Sequence, residues 1–396
     1  MFVDSYTRLP ASFYTSVPPT HVAAPRLIKF NGELADELGL GLDTTPPPML
    51  AELFSGNRLL AGSHPIAMVY AGHQFGQFVP QLGDGRAILL GEVIDRYGKR
   101  RDIQLKGSGR TPYSRSGDGR AALGPVLREY LVSEAMHSLH LPTTRALAAV
   151  ATGEPVFREG QLPGAIFTRV AASHVRVGTF QYFAARGDAV SVRQLADYVI
   201  DRHYPDARLA DNPYLELLRR VVGAQTRLVA GWMSIGFIHG VMNTDNTSIA
   251  GETIDFGPCA FLDEYDPATV FSSIDHRGRY AFGNQPAAAQ WNVARFAETI
   301  LGLIDPDGER SVQLATEAVT EFMPQYSAEY HRLYRRKIGL STEEAGDAAL
   351  IGHLLELMQS GAADFTLTFR ALAACAGAAG HAACCPDDGV PPAIRE

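Results

Sequence analysis

The sequence is short of cysteine, of positive charge and of long apolar runs. Only 4 of its 396 residues are cysteine, at 259, 375, 384 and 385, and no two form a C-x-x-C pair. That excludes a disulfide scaffold and a zinc ribbon, and it suits a reducing compartment. Lys and Arg number 35 against 43 Asp and Glu, for a formal net charge of −8. A general nucleic-acid binder would carry a basic face, so none is expected here, although a local cationic pocket is compatible with the balance. The longest apolar stretch, Leu228 to Ile238, falls well short of the roughly 18 residues that a membrane span needs. The first residues, MFVDSYTRLP, carry Asp4 and no apolar run, unlike a signal peptide. A soluble cytoplasmic protein without membrane or nucleic-acid partners is expected, working as a monomer.

What is present is ordinary globular chemistry, 46% apolar and 20% charged residues, in a chain long enough for roughly two to three domains or lobes. There is no internal repeat. Residues 1–60 read as loops around one helix bearing Leu27, Ile28, Leu34, Leu38 and Leu40. Ala87 to Ile94, a turn at Arg96-Tyr97-Gly98-Lys99, and Asp102 to Leu105 read as a β-hairpin. A Gly-rich stretch from Lys106 to Arg120 precedes a helix over Leu123–Leu139, whose Leu123, Leu127, Tyr130 and Leu131 recur at helical spacing. From Thr143 to Phe183 the pattern is strand-like. Helices then dominate: Val190–His203, Pro213–Ile235, further ones beyond Pro286, and a last one near Ala348–Met358. A β-rich first part and a helical second part predict an α+β, two-lobed protein with a cleft.

Three constellations carry chemistry. Gly83-Asp84-Gly85-Arg86 leads into the hairpin whose second strand ends at Lys106. Glycine lets backbone approach a ligand closely, and a strand-end Lys is a point charge for phosphate. By itself this pattern reads more readily as a plain hairpin with a solvated lysine. The helix that follows carries Glu129 and Glu134, and helical phase places Glu134 beside the apolar stripe. The third is the segment GFIHGVMNTDNTSIAGETIDFG, Gly236–Gly257, in which a hairpin turning at Gly251-Glu252 would bring Asn246 towards Asp255. Two such oxygen ligands suit Mg²⁺, which completes its shell with phosphate and water.

A Gly-rich turn, a strand Lys, a helix Glu, a loop Asn and a D-F-G acid in this order resemble a protein kinase. One part departs: five residues before Asn246, where a kinase holds its base, stands Val241. Asp245 is the carboxylate of that loop. The blocks AGHQFGQFVPQLGDGRAILLGE, DIQLKGSGRTPYSRSGDGRAALGPVLREYLVSEAM, GFIHGVMNTDNTSIAGETIDFGP and FLDEYDPATVFSSIDHRGRYAFGNQP resemble the selenoprotein O family over about Ser5 to Ala371. That resemblance implies a kinase-like fold with a β-rich N-lobe and a helical C-lobe. It also implies transfer of AMP from ATP, bound in a flipped orientation, to Ser, Thr or Tyr hydroxyls of proteins, with Mg²⁺ or Mn²⁺. A kinase, or an inactive ATP-binding pseudokinase, is the alternative that the altered loop leaves open.

Carried over position by position, the resemblance implies nucleotide contacts at Gly83, Gly85, Arg86, Lys106, Asp118, Gly119, Arg169, Arg176 and Asp255. Metal ligands fall on Asn246 and Asp255, the proton acceptor on Asp245, and the partner of Lys106 on Glu129 rather than on Glu134, the choice of helical phase. His73 reads either as a ligand contact or as a hydrogen-bonded structural histidine, and His239 as a brace of the loop. Arg110, Arg115 and Arg120 read either as grips on distal phosphates or as solvated residues. The expected organisation is an extension over 1–65, an N-lobe over 66–185, a C-lobe over 186–371 and a divergent tail over 372–396. That tail holds Cys375, His381, Cys384 and Cys385 at irregular spacing. It is expected to be poorly structured and departs from the family's ending, which suggests a truncated or shifted reading frame and puts redox control by a terminal cysteine in doubt.

Overall fold

The run Ala-Ile-Leu-Leu-Gly-Glu-Val-Ile is buried along nearly its whole length, the signature of a strand covered on both faces. In the computed structural model, which describes residues 2–377, it is a central strand of a nine-stranded antiparallel sheet. The strands are β1 (Phe2–Val3), β2 (Tyr14–Ser16), β3 (Arg26–Phe30), β4 (Ile66–Met68), β7 (Ala87–Ile94), β8 (Arg100–Lys106), β9 (Ala121–Ala122), β10 (Arg145–Phe157) and β11 (Gln161–Ala171). Their order is β2-β4-β7-β8-β11-β10-β3, with β1 on β7 and β9 on β11. A separate small hairpin joins β5 (Gly72–Gln74) to β6 (Gln77–Val79).

Both faces of the sheet are covered. On one, α1 (Gly32–Glu37) and α2 (Pro47–Ser55) bring Leu34, Leu50 and Phe54 onto Ile103, Leu105, Leu147 and Val150. On the other, α3 (Leu123–Ser138) sets Val126 and Tyr130 on Ala146, Ala149, Ala165 and Phe167. The small alanines let the helix sit low on the strands. Next come α4 (Val177–Ala184), α5 (Ala189–His203) and α6 (Pro213–Ser234). The chain falls into two units, the first being Met1–Val221 with Asn243–Gly257 and Arg295–Ala315. The second is Val222–Met242 with Pro258–Ala294 and the chain from Thr316 onwards. It contains the short pair β12 (Phe237–Ile238) and β13 (Ala260–Phe261). The remaining helices are α7 (Gln285–Ile304), α8 (Gly308–Thr320), α9 (Phe322–Lys337), α10 (Asp347–Ser360) and α11 (Phe365–Gly377).

The mixed α+β class, with its β-rich beginning and helical continuation, is as the sequence predicts, and four local expectations change. Residues 2–60 hold three strands, two α-helices and two 3-10 turns, with Leu27 and Ile28 on β3 rather than on a helix. The strand-like stretch ends at Ala171, because Arg176 opens α4. Asn246 and Asp255 are not joined by a hairpin: Ser248 bridges Arg176, and Thr253 bridges Thr143. One more helix, α11, follows the expected last one. His381, Cys384 and Cys385 lie outside the described residues, as does the tail from 378 on. No helix among the described residues is long and apolar enough to cross a membrane.

Candidate active site

Alternation along β8 puts Gln104 and Lys106 on the same face of the sheet, the face that α3 covers. Arg169 on β11 lies directly across from Gln104 in the ladder, so three polar side chains converge beneath the helix. The buried stripe of α3 is Val126, Glu129, Tyr130, Ser133 and Met136, and Leu131, which the sequence assigns to the stripe, is 67% exposed. The helix is rotated from the phase its leucines suggest, and the rotation aims Glu129 at the sheet. Lys106 Nζ donates to Glu129 Oε2 at 2.7 Å. Glu134, the choice of helical phase, is occupied elsewhere: Arg145 grips it through Nε at 2.8 Å and Nη2 at 2.9 Å.

Asp255 is the hub. Its Oδ1 accepts from Lys106 Nζ at 2.6 Å and Arg169 Nη1 at 2.8 Å, and its Oδ2 from Arg176 Nη1 at 2.5 Å. Burial alone would raise this carboxyl, but Arg169, Lys106 and Arg176 outweigh it and hold it well below the usual carboxylate range. Its backbone has φ +63°, a left-handed conformation that aspartate tolerates at a cost. Arg169 Nη1 also reaches Glu129 Oε1 at 3.1 Å, and its Nη2 donates to Gln104 Oε1 at 2.6 Å. Three cations thus converge on the carboxylates of Asp255 and Glu129, and Arg176 also carries the charge of Asp84 and Asp245 beside it.

Arg176 links this cluster to the loop that bears Asp245. Its Nη1 donates to the Asp245 carbonyl at 2.6 Å, and its guanidinium sits 4.9 Å from the centre of the Tyr70 ring. Asp245 and Asn246 occupy a single 3-10 turn, Thr244–Asn246. Burial pushes the Asp245 carboxyl up to about 6, against the opposing pull of Arg176. Asp245 Oδ2 accepts from Gln74 Nε2 at 3.3 Å, while its buried Oδ1 has no hydrogen-bond partner. Two glycines make room for it: a Cβ on Gly72 would stand 2.6 Å from Asp245 Oδ1, and one on Gly178 would meet the Ala71 carbonyl at 2.2 Å.

The other expected contacts flank the cluster without touching it. Gly83 has φ +94° and packs on the Tyr113 ring. Gly85 lies against the Tyr113 backbone, and Arg86 is exposed at the mouth of β7. Gly119 lies so close to the Gly109 backbone that no side chain would fit. Asp118 is exposed and clasped by Arg158 at 2.8 and 3.1 Å. Arg120 is spent on the Thr20 and His21 carbonyls, and Arg110 on that of Arg115. His73 hydrogen-bonds Gln181. In the second unit His239 Nδ1 accepts from the Val241 amide at 3.4 Å, a brace within its own loop. Sequence reasoning missed Gln104, Tyr70, Gln74 and buried Asp84, whose Oδ2 accepts from Met68 N and Gln104 Nε2. For Gln104 the signal was its place two residues before Lys106 on one strand.

The oxygen donors of Asn246 and the ionised Asp255 suit a hard divalent cation that relies on phosphate and water for the rest of its shell. Among the described residues no group of three or more His, Cys, Asp or Glu forms a self-sufficient metal cage.

Comparison with known proteins agrees with this chemistry. The family described as Protein adenylyltransferase SelO matches residues 1–383. A protein nucleotidyltransferase YdiU from Rhizobium meliloti is 64% identical over 375 residues, 95% of this chain and 76% of that protein. Its namesake from Rhizobium rhizogenes is 65% identical over 94% of this chain and 74% of its own. The one from Methylorubrum populi is 62% identical over 96% and 76%. Among solved structures, a Toxoplasma gondii rhoptry antigen kinase domain aligns with a TM-score of 0.31 and 10% identity, over 68% of this chain and 83% of that one. The match over residues 1–383, with relatives above 60% identity, means that this chain belongs to the protein adenylyltransferase SelO family, a family of nucleotidyltransferases.

Proposed function

We propose that the enzyme transfers AMP from ATP to a Ser, Thr or Tyr hydroxyl of another protein and releases pyrophosphate. The observation that carries this reading is the convergence of Lys106, Arg169 and Arg176 on one carboxylate, Asp255. Without nucleotide the three cations neutralise Asp255 and Glu129. With nucleotide, the same cations are placed to exchange part of that pairing for phosphate oxygens, joined by exposed Arg86. Glu129 keeps Lys106 on the sheet face while this happens, and Gln104 holds Arg169 by its second amino group.

In the transfer step the acceptor oxygen forms a bond to the α-phosphorus, the bond from that phosphorus to the bridging oxygen breaks, and pyrophosphate leaves with the electron pair. The hydroxyl proton passes to the Asp245 carboxylate. A carboxyl pushed up to about 6 is largely ionised near neutrality and is a better base than an ordinary aspartate. Arg169, Arg176 and Lys106 stabilise the charge that develops on the leaving group. Mg²⁺ or Mn²⁺, held by Asn246 and Asp255, would neutralise phosphate charge and orient the chain of phosphates. Residues 66–185 would serve as the nucleotide-holding lobe and 186–371 as the helical lobe, with 1–65 packed as an extension, in a monomer of the cytoplasm.

The test is product analysis with ATP and a hydroxyl-bearing acceptor protein. One pyrophosphate should appear for each AMP attached. Formation of ADP with phosphate on the acceptor would replace this reading with a kinase, and tight ATP binding with neither product would replace it with a pseudokinase.

A further inference from the structure

The β5–β6 hairpin, drawn from the AGHQFGQF block, has no part in the chemistry described so far. It nevertheless makes more directed contacts to the Asn243–Asn246 turn than a surface hairpin needs. The His73 amide donates to Thr244 Oγ1 at 2.7 Å. Thr244 Oγ1 donates to Gln181 Oε1 at 2.6 Å, and Gln181 Nε2 pairs with His73 Nδ1 at 2.8 Å, closing a ring of three hydrogen bonds. One residue further, Gln74 Nε2 donates to Asp245 Oδ2 at 3.3 Å. At the tip the Phe75 amide donates to Asn243 Oδ1 at 2.9 Å. Three consecutive hairpin residues thus address three consecutive residues of the turn.

The hairpin is also strained where it makes these bonds. Gln74 pairs with Gln77, so the connection has two residues, Phe75 and Gly76, with φ of +51° and +86°. Such tight turns favour positive φ at both positions, which glycine and asparagine accept and a bulky residue does not. A phenylalanine held there costs on the order of 1–2 kcal/mol, and strain of this kind persists where the surroundings over-determine it. Gly72, at the start of β5, is what lets the hairpin lie against Asp245 Oδ1.

We infer that the β5–β6 hairpin is a positioning element for the proton acceptor, with Gln74 orienting the Asp245 carboxylate and the His73–Gln181–Thr244 ring fixing the height of its turn. This rests on the reading of Asp245 as the acceptor. The Gln74 amide engages one oxygen of the carboxylate and leaves the other for the incoming hydroxyl. Gln74 is a positioning residue and need not touch the nucleotide.

The experiment compares Gln74→Glu, which keeps the shape but replaces the donor by a second carboxylate, and Thr244→Val, which opens the ring. Transfer of α-labelled ATP to casein gives kcat and the KM for ATP, binding of α,β-methylene ATP gives the nucleotide Kd, and thermal melting reports folding. Both variants should lose about 10- to 100-fold in kcat, the penalty of a misplaced group, with KM, Kd and melting temperature nearly unchanged. An unchanged kcat, a parallel rise in Kd, or a collapse of melting in both variants would overturn the inference. Asp245→Asn separates the two levels. If it is inactive while Gln74→Glu retains full kcat, the positioning role alone fails. If Asp245→Asn itself keeps full kcat, the acceptor reading fails and takes this inference with it. Adding Gln74→Glu to Asp245→Asn should cost nothing further, since the residue acts through Asp245.

Discussion

Strand β8 carries two buried clusters of charge, one at each end, and they are built on opposite terms. At Asp102 two acids, Asp102 and Glu92, share Arg202 through bonds of 2.6 and 3.1 Å, and Arg100 stands 3.7 Å from Glu92. All four carboxylate oxygens are engaged, with the Ser5 and Tyr6 amides on Glu92 and the His174 amide and ring on Asp102. Burial works against ionised Asp102, yet Arg202 and His174 outweigh it and bring the carboxyl down to about 2. At Asp255 three cations converge on one carboxylate, the backbone is strained, and the buried Nε atoms of Arg169 and Arg176 have no hydrogen-bond partner. The first cluster ties the N-terminus and α5 to the sheet. The second leaves guanidinium donors unspent. Buried charge by itself therefore marks neither stability nor function; how completely its charged groups are partnered separates them.

Variants can break that contrast. Asp255→Asn should lower AMP transfer on the order of 100- to 1,000-fold in a steady-state assay, and near-normal transfer would remove Asp255 from the chemistry. Arg202→Met removes the cation that the two buried acids share, so it should destabilise the fold by about 3–5 kcal/mol in denaturant titration. Nucleotide affinity per folded molecule should remain intact. A weakened Kd with normal stability would merge the two clusters into one functional unit. Lys106→Ala should show the reverse pattern. Arg169 and Arg176 still neutralise Asp255, so melting should shift little while ATP affinity falls about tenfold or more, the worth of a charge-assisted hydrogen bond.

The smallest effect sharpens the structural side. His203 is brought down to about 3, chiefly by burial and then by Arg202. It is neutral when folded but takes a proton near pH 6.5 once unfolded, so its contribution to stability is lost as pH falls below about 6.5. The loss amounts to at most about 1.4 kcal/mol per pH unit. His203→Gln should flatten the fall of melting temperature between pH 6.5 and 4.5, and parallel curves would show that the histidine is not buried neutral.

Much of this was legible in the sequence because it was local. The β7–β8 hairpin follows from its alternation and turn residues, and Lys106 from its place at a strand end. The pairing of Lys106 with Glu129 was not local. Leu123, Leu127 and Leu131 suggest one face for α3, but the helix rests on Ala146, Ala149 and Ala165, and small residues across a sheet leave no trace in the helix's own periodicity. The resemblance to a family supplied Glu129 where helical phase did not. Gln104, Tyr70 and Gln74 stayed hidden for the same reason: each acts on a partner brought close by strand pairing or by a hairpin packed on a distant turn. The expected hairpin between Asn246 and Asp255 failed because Ser248 and Thr253 find separate partners, Arg176 and Thr143, that no short-range pattern announces.

The cationic cluster at Asp255 is built to serve attack at the α-phosphorus. The direct measurement is label transfer to acceptor protein from ATP carrying phosphorus-32 at either the α or the γ position. If the cluster serves that attack, α-labelled ATP gives stable labelling, γ-labelled ATP gives none, and the α-label signal is lost in Asp255→Asn. Labelling from γ-labelled ATP, or α-labelling that survives Asp255→Asn, would contradict it.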